Sequence, residues 1–193
     1  MNKASTRVTI VCMMLIIAVV GYYSFLSNRS HTEQAEASMT AVQATLSRDL
    51  TSAYPSTPKE VIKYYNEIMK CFYNEECSDE EIEQLGQKAR ELYDSDLLEI
   101  NPLGTYMMNL KSEIQDFKDN KRKITNTSVA SSTDVDFYEV DGFSFARIRC
   151  GYTFMEGKTS YPTAYVYLLR RDDEKHWKIY GWKDKAALEE TSE

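Results

Sequence analysis

Two arginines and two tyrosines at alternate positions of neighbouring predicted strands are the best candidates for ligand contacts. Arg147 and Arg149 share one face of a predicted strand over 143–155, and the next strand carries Tyr165 and Tyr167 in the same alternation. If the arginines face the interior of a curved sheet, they could hold a carboxylate or phosphate through charge-assisted hydrogen bonds. If they face solvent, they form a cationic rim. The register between the strands decides between these two alternatives, and a single sequence does not determine that register.

Residues suited to catalysis or metal binding are few. The sequence has no phosphate-binding glycine loop, no Gly-x-Ser-x-Gly, no His-Glu-x-x-His and no Cys-x-x-Cys. His31 lies near the apolar N-terminal segment, and His176 lies in a predicted exposed turn. Asp134 and Asp136 form the nearest carboxylate pair, which a turn explains, and the acidic run over 75–83 lacks the glycine of a calcium loop. We therefore predict no enzymatic activity, no cofactor and no metal.

Cysteine spacing allows one small disulfide loop. Cys71 and Cys77 lie between the end of one predicted helix and the start of the next, where a bridge could join them. Spacing alone does not fix the geometry, so bridged and free thiols both remain possible. Cys150 lies in an alternating strand and is expected to be a small buried hydrophobic residue, whereas Cys12 lies in the apolar segment.

The charge balance is unfavourable for nucleic acid. The net charge is −7, although two cations, Lys3 and Arg7, belong to the short N-terminal tail. A compact basic run, Lys118 with residues 121–123, lies at a predicted helix end, where cations complement the helix carbonyls. Because binding to a phosphate backbone needs clustered positive charge, nucleic acid is excluded as an expected partner.

A long apolar segment near the N-terminus predicts a membrane anchor. Residues 8–26 are nineteen consecutive uncharged residues, enough for a helix to cross roughly 30 Å of hydrocarbon. The positive-inside rule places residues 1–7 in the cytoplasm, a transmembrane helix over 8–28, and the remaining chain outside the cell membrane. The rival interpretation is a cleaved secretory signal, with residues 35–37 as its processing site. The bulky rings of Tyr22 and Tyr23 argue against such cleavage.

The rest of the chain divides into a linker, a domain and a tail. Residues 29–56 are rich in Ser, Thr, Ala, Gln and Glu and predict a stalk, with a short helix through Met39, Val42 and Leu46 left open. A domain is expected over 57–185, followed by an acidic tail over 186–193.

Helical periodicity dominates the first half of this domain. Thr57, Pro58 and Glu60 form a helix-start signal that Ser78 and Glu81 repeat, and a third helix should follow Pro102. The expected buried stripes are Val61, Tyr65, Ile68 and Phe72, then Ile82, Leu85, Ala89, Leu92 and Tyr93, then Met107, Leu110, Ile114 and Phe117.

Strand-like alternation follows after Lys123. The predicted strands cover residues 124–131, 135–140, 143–155, 163–171 and 177–183, separated by turn residues. Helices followed by a strand meander predict an α+β fold, with three helices packed on a curved antiparallel sheet of four to five strands.

Two resemblances support this architecture. The final segment over 174–182, with its His-Trp-Lys-Ile core, resembles the last strand of the cone-shaped fold named after nuclear transport factor 2. Segments 48–50, 54–61 and 71–75 resemble an uncharacterised family of membrane-anchored proteins from Gram-positive bacteria. These resemblances cover about residues 48–185 and imply a cone that hosts pocket enzymes, binders or assembly modules in different members.

Three classes of function follow. The favoured expectation is a membrane-anchored extracytoplasmic interaction or assembly module, with the lipid bilayer and a protein partner or second copy as its contacts. A single span with an outer cone also resembles assembly components of bacterial conjugation and secretion machines. The alternatives are small-molecule binding in the cone interior and a pocket enzyme, which requires clustered acid–base residues.

Overall fold

Helices precede strands in the part of the chain that the computed structural model describes, residues 39–184. Within this range the helices are α1 (Ala41–Ser47), α2 (Pro58–Asn74), α3 (Asp79–Glu91), α4 (Ser95–Ile100) and α5 (Leu103–Asp119). The strands are β1 (Arg122–Val129), β2 (Asp136–Val140), β3 (Phe143–Glu156), β4 (Thr159–Arg171) and β5 (Trp177–Asp184), with a 3₁₀ turn at Ser132–Asp134. The predicted α+β class and antiparallel sheet are confirmed, and two short helices add to the predicted three.

No helix between residues 39 and 184 is both long and apolar enough to cross a membrane. The predicted tail over 1–7, span over 8–28 and acidic tail over 186–193 lie outside the described residues, as does His31. The anchor therefore remains a prediction.

The compact unit containing the sheet begins at Ala41, within the segment predicted as a stalk. Helix α1 contacts α2 and α3, and Val42 and Leu50 are buried in the hydrophobic core. The Tyr64 hydroxyl donates a hydrogen bond of 2.8 Å to the carbonyl of Thr45. Residues 41–56 are thus packed against the domain instead of forming a free stalk, because a few well-spaced apolar side chains of this segment cover one side of α2.

Helix α2 lies at the centre of the fold and packs across one face of the sheet. Its start is a complete capping box, in which Thr57 accepts from the Glu60 amide and Glu60 accepts from the Thr57 amide. Ten of its residues are buried, so it is covered on nearly all sides. The predicted stripe of Val61, Tyr65, Ile68 and Phe72 is buried, with Ile62 and Tyr64 widening it.

The sheet has the order β1-β3-β4-β5, and β2 pairs with the remaining half of β3. Its hairpins turn where the sequence supplies turn residues, and Asp141 and Gly142 both have positive φ. Along β3, Ala146, Ile148, Cys150 and Tyr152 are buried beneath the helices. Arg147 and Arg149 alternate with them and are exposed on the opposite face.

An ion pair joins the helical layer to the sheet. Asp94 is buried and caps α4, and both of its oxygens accept hydrogen bonds from Arg170 of β4. The Asp94 amide also donates to the carbonyl of Ile179, and the Ile179 amide donates to Leu92. The segment between α3 and α4 is therefore held beside β5.

Removing the arginine should destabilise the domain, because it leaves a buried carboxylate without its partner. We expect Arg170→Met to lower the free energy of unfolding by about 3 kcal/mol. The double variant Arg170→Met, Asp94→Asn should recover part of that loss, since it removes the uncompensated charge.

Denaturant unfolding of the full chain in detergent, followed by circular dichroism, measures these changes. Arg149→Met is the matched control, because Arg149 is exposed on the outer sheet face; its effect should stay within about 0.5 kcal/mol. Equal stability of the Arg170→Met variant and the unmodified chain would contradict this account of the ion pair.

Candidate functional site

A cavity of about 600 Å³ lies between the sheet and helices α2 and α5. Eleven of its lining residues are aromatic, and eight of these are tyrosines. The lining consists of Tyr65, Met69, Tyr73, Tyr93, Asn101, Tyr106, Asn109, Leu110, Glu113, Phe117, Arg122, Ile124, Tyr152, Phe154, Tyr161, Thr163, Tyr165, Tyr167, Trp182 and Asp184. Asn109 and Glu113 are exposed, so the cavity opens to solvent beside α5.

Strand alternation places the β4 side chains in this cavity. Tyr161, Thr163, Tyr165 and Tyr167 are two residues apart, so all four point to the same side of the sheet. The β3–β4 pairing sets Tyr167 opposite Ile148, which is fully buried. The β4 tyrosines therefore lie on the helix-covered face.

A bulge in β5 brings Trp182 to the same face. Leu168 pairs with Gly181 and Leu169 pairs with Ile179, so Tyr180 is an extra residue on β5. The bulge shifts the alternation by one residue, and Trp182 comes to lie opposite Tyr167. Without the bulge, the indole would point away from the cavity.

Tyrosine hydroxyls at the base of the cavity bond mainly to one another. The Tyr152 hydroxyl donates to Oδ1 of Asn66, and it lies 2.7 Å from the Tyr167 hydroxyl. Because the Tyr152 proton is used by Asn66, Tyr167 is the donor in the second bond. The hydroxyls of Tyr65 and Tyr93 are 3.1 Å apart. These bonds fix the ring orientations.

The hydroxyl of Tyr73 has no hydrogen-bond partner among the described residues. Tyr73 is only 7% exposed, and its ring stacks on Phe117 with the centroids 4.0 Å apart. A buried polar group without a partner costs free energy unless a ligand or water satisfies it. The oxygen of this hydroxyl, which lies beside the carboxylate of Glu113, can therefore accept a hydrogen bond from an occupant of the cavity.

The cavity tyrosines are uncharged at neutral pH, and burial moves their pKa further above the ordinary value. Burial is the main cause that raises the pKa of Tyr65, Tyr73, Tyr93, Tyr106, Tyr152, Tyr165 and Tyr167. The negative charge of Glu113 further raises the pKa of Tyr73. These hydroxyls are hydrogen-bonding groups rather than bases.

The charged side chains of the cavity lie at its edge. Arg122 Nε is 3.1 Å from Glu156 and its Nη1 is 3.2 Å from Asp116, so two carboxylates balance its charge. Glu113 forms no ion pair with any residue in the described range. Asp184 accepts a hydrogen bond of 3.5 Å from the Thr163 hydroxyl. The edge of the cavity is consequently acidic.

The four predicted ligand contacts do not lie together. Tyr165 and Tyr167 line the cavity, whereas Arg147 and Arg149 are exposed on the opposite face of the sheet. The arginines follow Ala146 and Ile148, whose side chains enter the core, so they must point outward. On that face Arg147 lies 3.6 Å from Asp136. The interpretation of Arg147 and Arg149 as ligand contacts inside the sheet is therefore wrong, because both side chains face solvent.

Of the two possibilities left open for Cys71 and Cys77, the structure has the free thiols rather than the disulfide. The Cys77 thiol donates to the carbonyl of Cys71 at 3.3 Å, while Cys71 Sγ lies 3.4 Å from the Thr45 hydroxyl. Burial raises the pKa of both thiols, that of Cys77 to about 11. Cys150 is fully buried.

The other polar candidates lie outside the cavity. His176 stacks on Tyr54 with ring centroids 4.2 Å apart, and its amide donates to Asp172. Among residues 39–184, no cluster of His, Cys, Asp or Glu is suited to hold a metal ion. The absence of a metal or cofactor remains an expectation.

Several cavity residues were not singled out by sequence reasoning. Tyr106 and Glu113 lie on α5, and Tyr93 was expected only as a core residue. Helical spacing could have placed Tyr106, Asn109 and Glu113 on one side of α5, since successive members of this set are three or four residues apart. Their position opposite the β4 tyrosines required the tertiary structure.

The fold and site thus define an α+β domain with an aromatic cavity. The chain matches the family described as Domain of unknown function (DUF6715) over residues 1–182, and it belongs to that family. No curated protein matches the chain. The family description assigns no activity, so function rests on the site itself.

The raised tyrosine pKa values predict a loss of stability at alkaline pH. The folded state holds these phenolic protons more tightly than the unfolded state, in which tyrosine titrates near pH 10. The stabilisation is complete below about pH 10 and should be lost as the pH rises further. Tyrosinate absorbance and circular dichroism of the full chain should therefore change together.

The denatured chain in urea is the reference, and it should titrate near pH 10 without a structural transition. Complete, reversible tyrosine ionisation near that pH with an unchanged circular dichroism spectrum would contradict the burial of these hydroxyls.

Proposed function

We propose that this domain binds a small molecule in its aromatic cavity. The observation that supports the proposal most directly is the volume of about 600 Å³ that the folded domain leaves open. Protein interiors are otherwise closely packed, and small-molecule sites commonly measure about 300 to 1,000 Å³. A filled interior would instead have favoured a purely structural core.

The lining indicates what the ligand must offer. Aromatic rings surround most of the space, so they favour a molecule with a planar or apolar body. The unpartnered Tyr73 hydroxyl supplies one directional polar contact. The mutual bonds of Tyr65, Tyr93, Tyr152 and Tyr167 hold their rings in place before the ligand enters, which reduces the entropic cost of binding.

This binding role is non-enzymatic in our proposal. The cavity tyrosines stay protonated because burial raises their pKa, so none of them is available as a base near neutral pH, and His176 lies elsewhere. A proton-transfer reaction needs a group whose pKa is close to the working pH. The cavity is therefore better suited to holding a molecule than to transforming it.

The proposed location follows from the N-terminal sequence. A transmembrane helix over 8–28 would hold the cavity domain at the outer face of a cell membrane. We include in this proposal the cone-shaped fold and the membrane anchoring that the two resemblances imply, to nuclear transport factor 2 and to membrane-anchored Gram-positive proteins.

Filling the cavity should abolish binding. We expect Thr163→Trp to weaken the binding of small aromatic probes at least tenfold, because the indole would occupy the space between β4 and α5. The probes are benzyltrimethylammonium, benzyl alcohol and phenylmethanesulfonate, which share one benzyl group. Titration of the full chain in non-ionic detergent, followed by ligand-observed NMR, gives the affinities.

Ala164→Trp is the matched control, since residue 164 is adjacent to Thr163 on the other sheet face and pairs with Gly151. It should leave each affinity within about twofold. Asn109→Trp fills the cavity from the α5 side and repeats the test if the first variant misfolds. Failure of all three probes to bind the unmodified chain counts against the cavity as a binding site.

Protein interaction is a second candidate function, favoured by an exposed apolar patch. Val140 and Phe143 pair with each other beside the β2–β3 turn and are 47% and 50% exposed, on the sheet face that also carries Arg147. Arg147 and Arg149 are exposed on the neighbouring part of β3. An exposed ring beside arginines is typical of protein contacts.

A second copy of the chain is the partner that charge favours. The first turn of α3 contains Asp79, Glu80 and Glu81, so each copy carries an acidic surface as well as the cationic strand. An acidic surface on one copy and the arginines on another would attract each other.

Weakening this patch should reduce self-association. We expect the double variant Val140→Ser, Phe143→Ser to shift the full chain in detergent to a smaller mass by multi-angle light scattering. Met108→Ser is the control, because Met108 is 66% exposed on α5, outside the patch. A monomeric unmodified chain would remove this candidate.

A further inference from the structure

We infer that the ligand of the cavity is an organic cation, an amine or quaternary ammonium compound with an apolar body. This inference rests on the proposed binding function and adds the charge of the ligand. It combines three observations: closely spaced aromatic rings, an unpaired carboxylate at the cavity edge, and a basic residue whose charge is already balanced.

Four rings at one end of the cavity form what we call the ring cluster, Tyr65, Tyr93, Tyr167 and Trp182. The centroid of Tyr65 lies 6.0 Å from Tyr93, 6.0 Å from Tyr167 and 6.2 Å from Trp182. Trp182 lies 6.1 Å from each of the other two. Because ring faces carry negative electrostatic potential, the faces that border the cavity favour a cation that has lost its water shell.

The tyrosines of the cavity are neutral phenols, so they do not carry charge of their own and their oxygens can accept hydrogen bonds. Burial raises their pKa, so they remain neutral phenols. The unpartnered Tyr73 oxygen can accept a hydrogen bond from an N–H group where the ligand is an amine.

Glu113 supplies the fixed charge that selects a cation. It lines the cavity, it is exposed at the opening, and no cation pairs with it in the described range. Its charge is close enough to contribute to the raised pKa of Tyr73. An anion entering by this route would meet an uncompensated negative charge.

The nearby cations do not reverse this polarity. Arg122 is balanced by Asp116 and Glu156 at 3.2 and 3.1 Å. Arg90 donates to the carbonyl of Asn101 at 2.6 Å, and its guanidinium carbon lies 5.4 Å from the Tyr106 ring centroid. Arg90 is outside the cavity lining, and its charge partly offsets the raised pKa of Tyr93 and Tyr106, whereas the carboxylates of Glu113 and Asp184 line the cavity itself.

The three benzyl probes test the charge of the ligand separately from the existence of the site. We expect benzyltrimethylammonium to bind the full chain about tenfold more tightly than benzyl alcohol. Phenylmethanesulfonate should bind least tightly. The Thr163→Trp variant, measured in the same detergent, corrects each affinity for probe taken up by micelles.

Glu113→Gln should weaken benzyltrimethylammonium about fivefold and leave benzyl alcohol unchanged, since only the charged probe responds to the carboxylate. Glu99→Gln makes the same change in net charge at an exposed residue of α4 outside the cavity and should alter neither affinity. This pair of variants separates a local effect of Glu113 from the general charge of the protein.

The outcomes distinguish the two proposals. Equal binding of all three probes, lost in Thr163→Trp, would overturn the cationic ligand and leave small-molecule binding intact. Tighter binding of the sulfonate would overturn it as well. Absence of binding by every probe would overturn both proposals together.

Discussion

The pairing of β3 with β4 is the constraint on which the rest of the structure depends. The two strands pair without interruption from Phe145 opposite Arg170 to Glu156 opposite Thr159. Side chains alternate between faces, so this one register assigns every residue of both strands to the core or to solvent. A slip of one residue in β4 would bring Leu168 and Val166 to the covered face and turn the β4 tyrosines outward. The hydrophobic core and the cavity therefore arise from the same register.

The two ends of the covered sheet face differ in how they are filled. At one end Ile148, Leu169 and Ile179 are fully buried and form ordinary aliphatic core. At the other end tyrosines replace the aliphatic residues, and several of their hydroxyls bond to each other. These bonds hold the rings in fixed positions, and the space beside them stays open. The change of residue type along the sheet accounts for an open space inside a well-packed domain.

Much of this fold follows from local sequence, whereas the site does not. The capping boxes of α2 and α3 and the hairpin turn at Asp141–Gly142 are local signals, which is why the main elements could be predicted. Whether Arg147 faces solvent depends on α2 covering the opposite face, and a single strand contains no such information. The bulge at Tyr180, which turns Trp182 inward, also lacks a clear local signal. The free thiol of Cys77 reflects geometry that spacing cannot give.

The ion pair of Asp94 with Arg170 links stability to the shape of the cavity. Tyr93, a member of the ring cluster, directly precedes Asp94 and forms an isolated bridge with Ile179 of β5. Two backbone hydrogen bonds between residues 92–94 and Ile179 hold this segment on the strand that also carries Trp182. A shift of Asp94 would therefore move the Tyr93 ring relative to the indole. Because ring contacts depend on distances of a few ångströms, the cavity retains its geometry only while this buried charge pair remains intact.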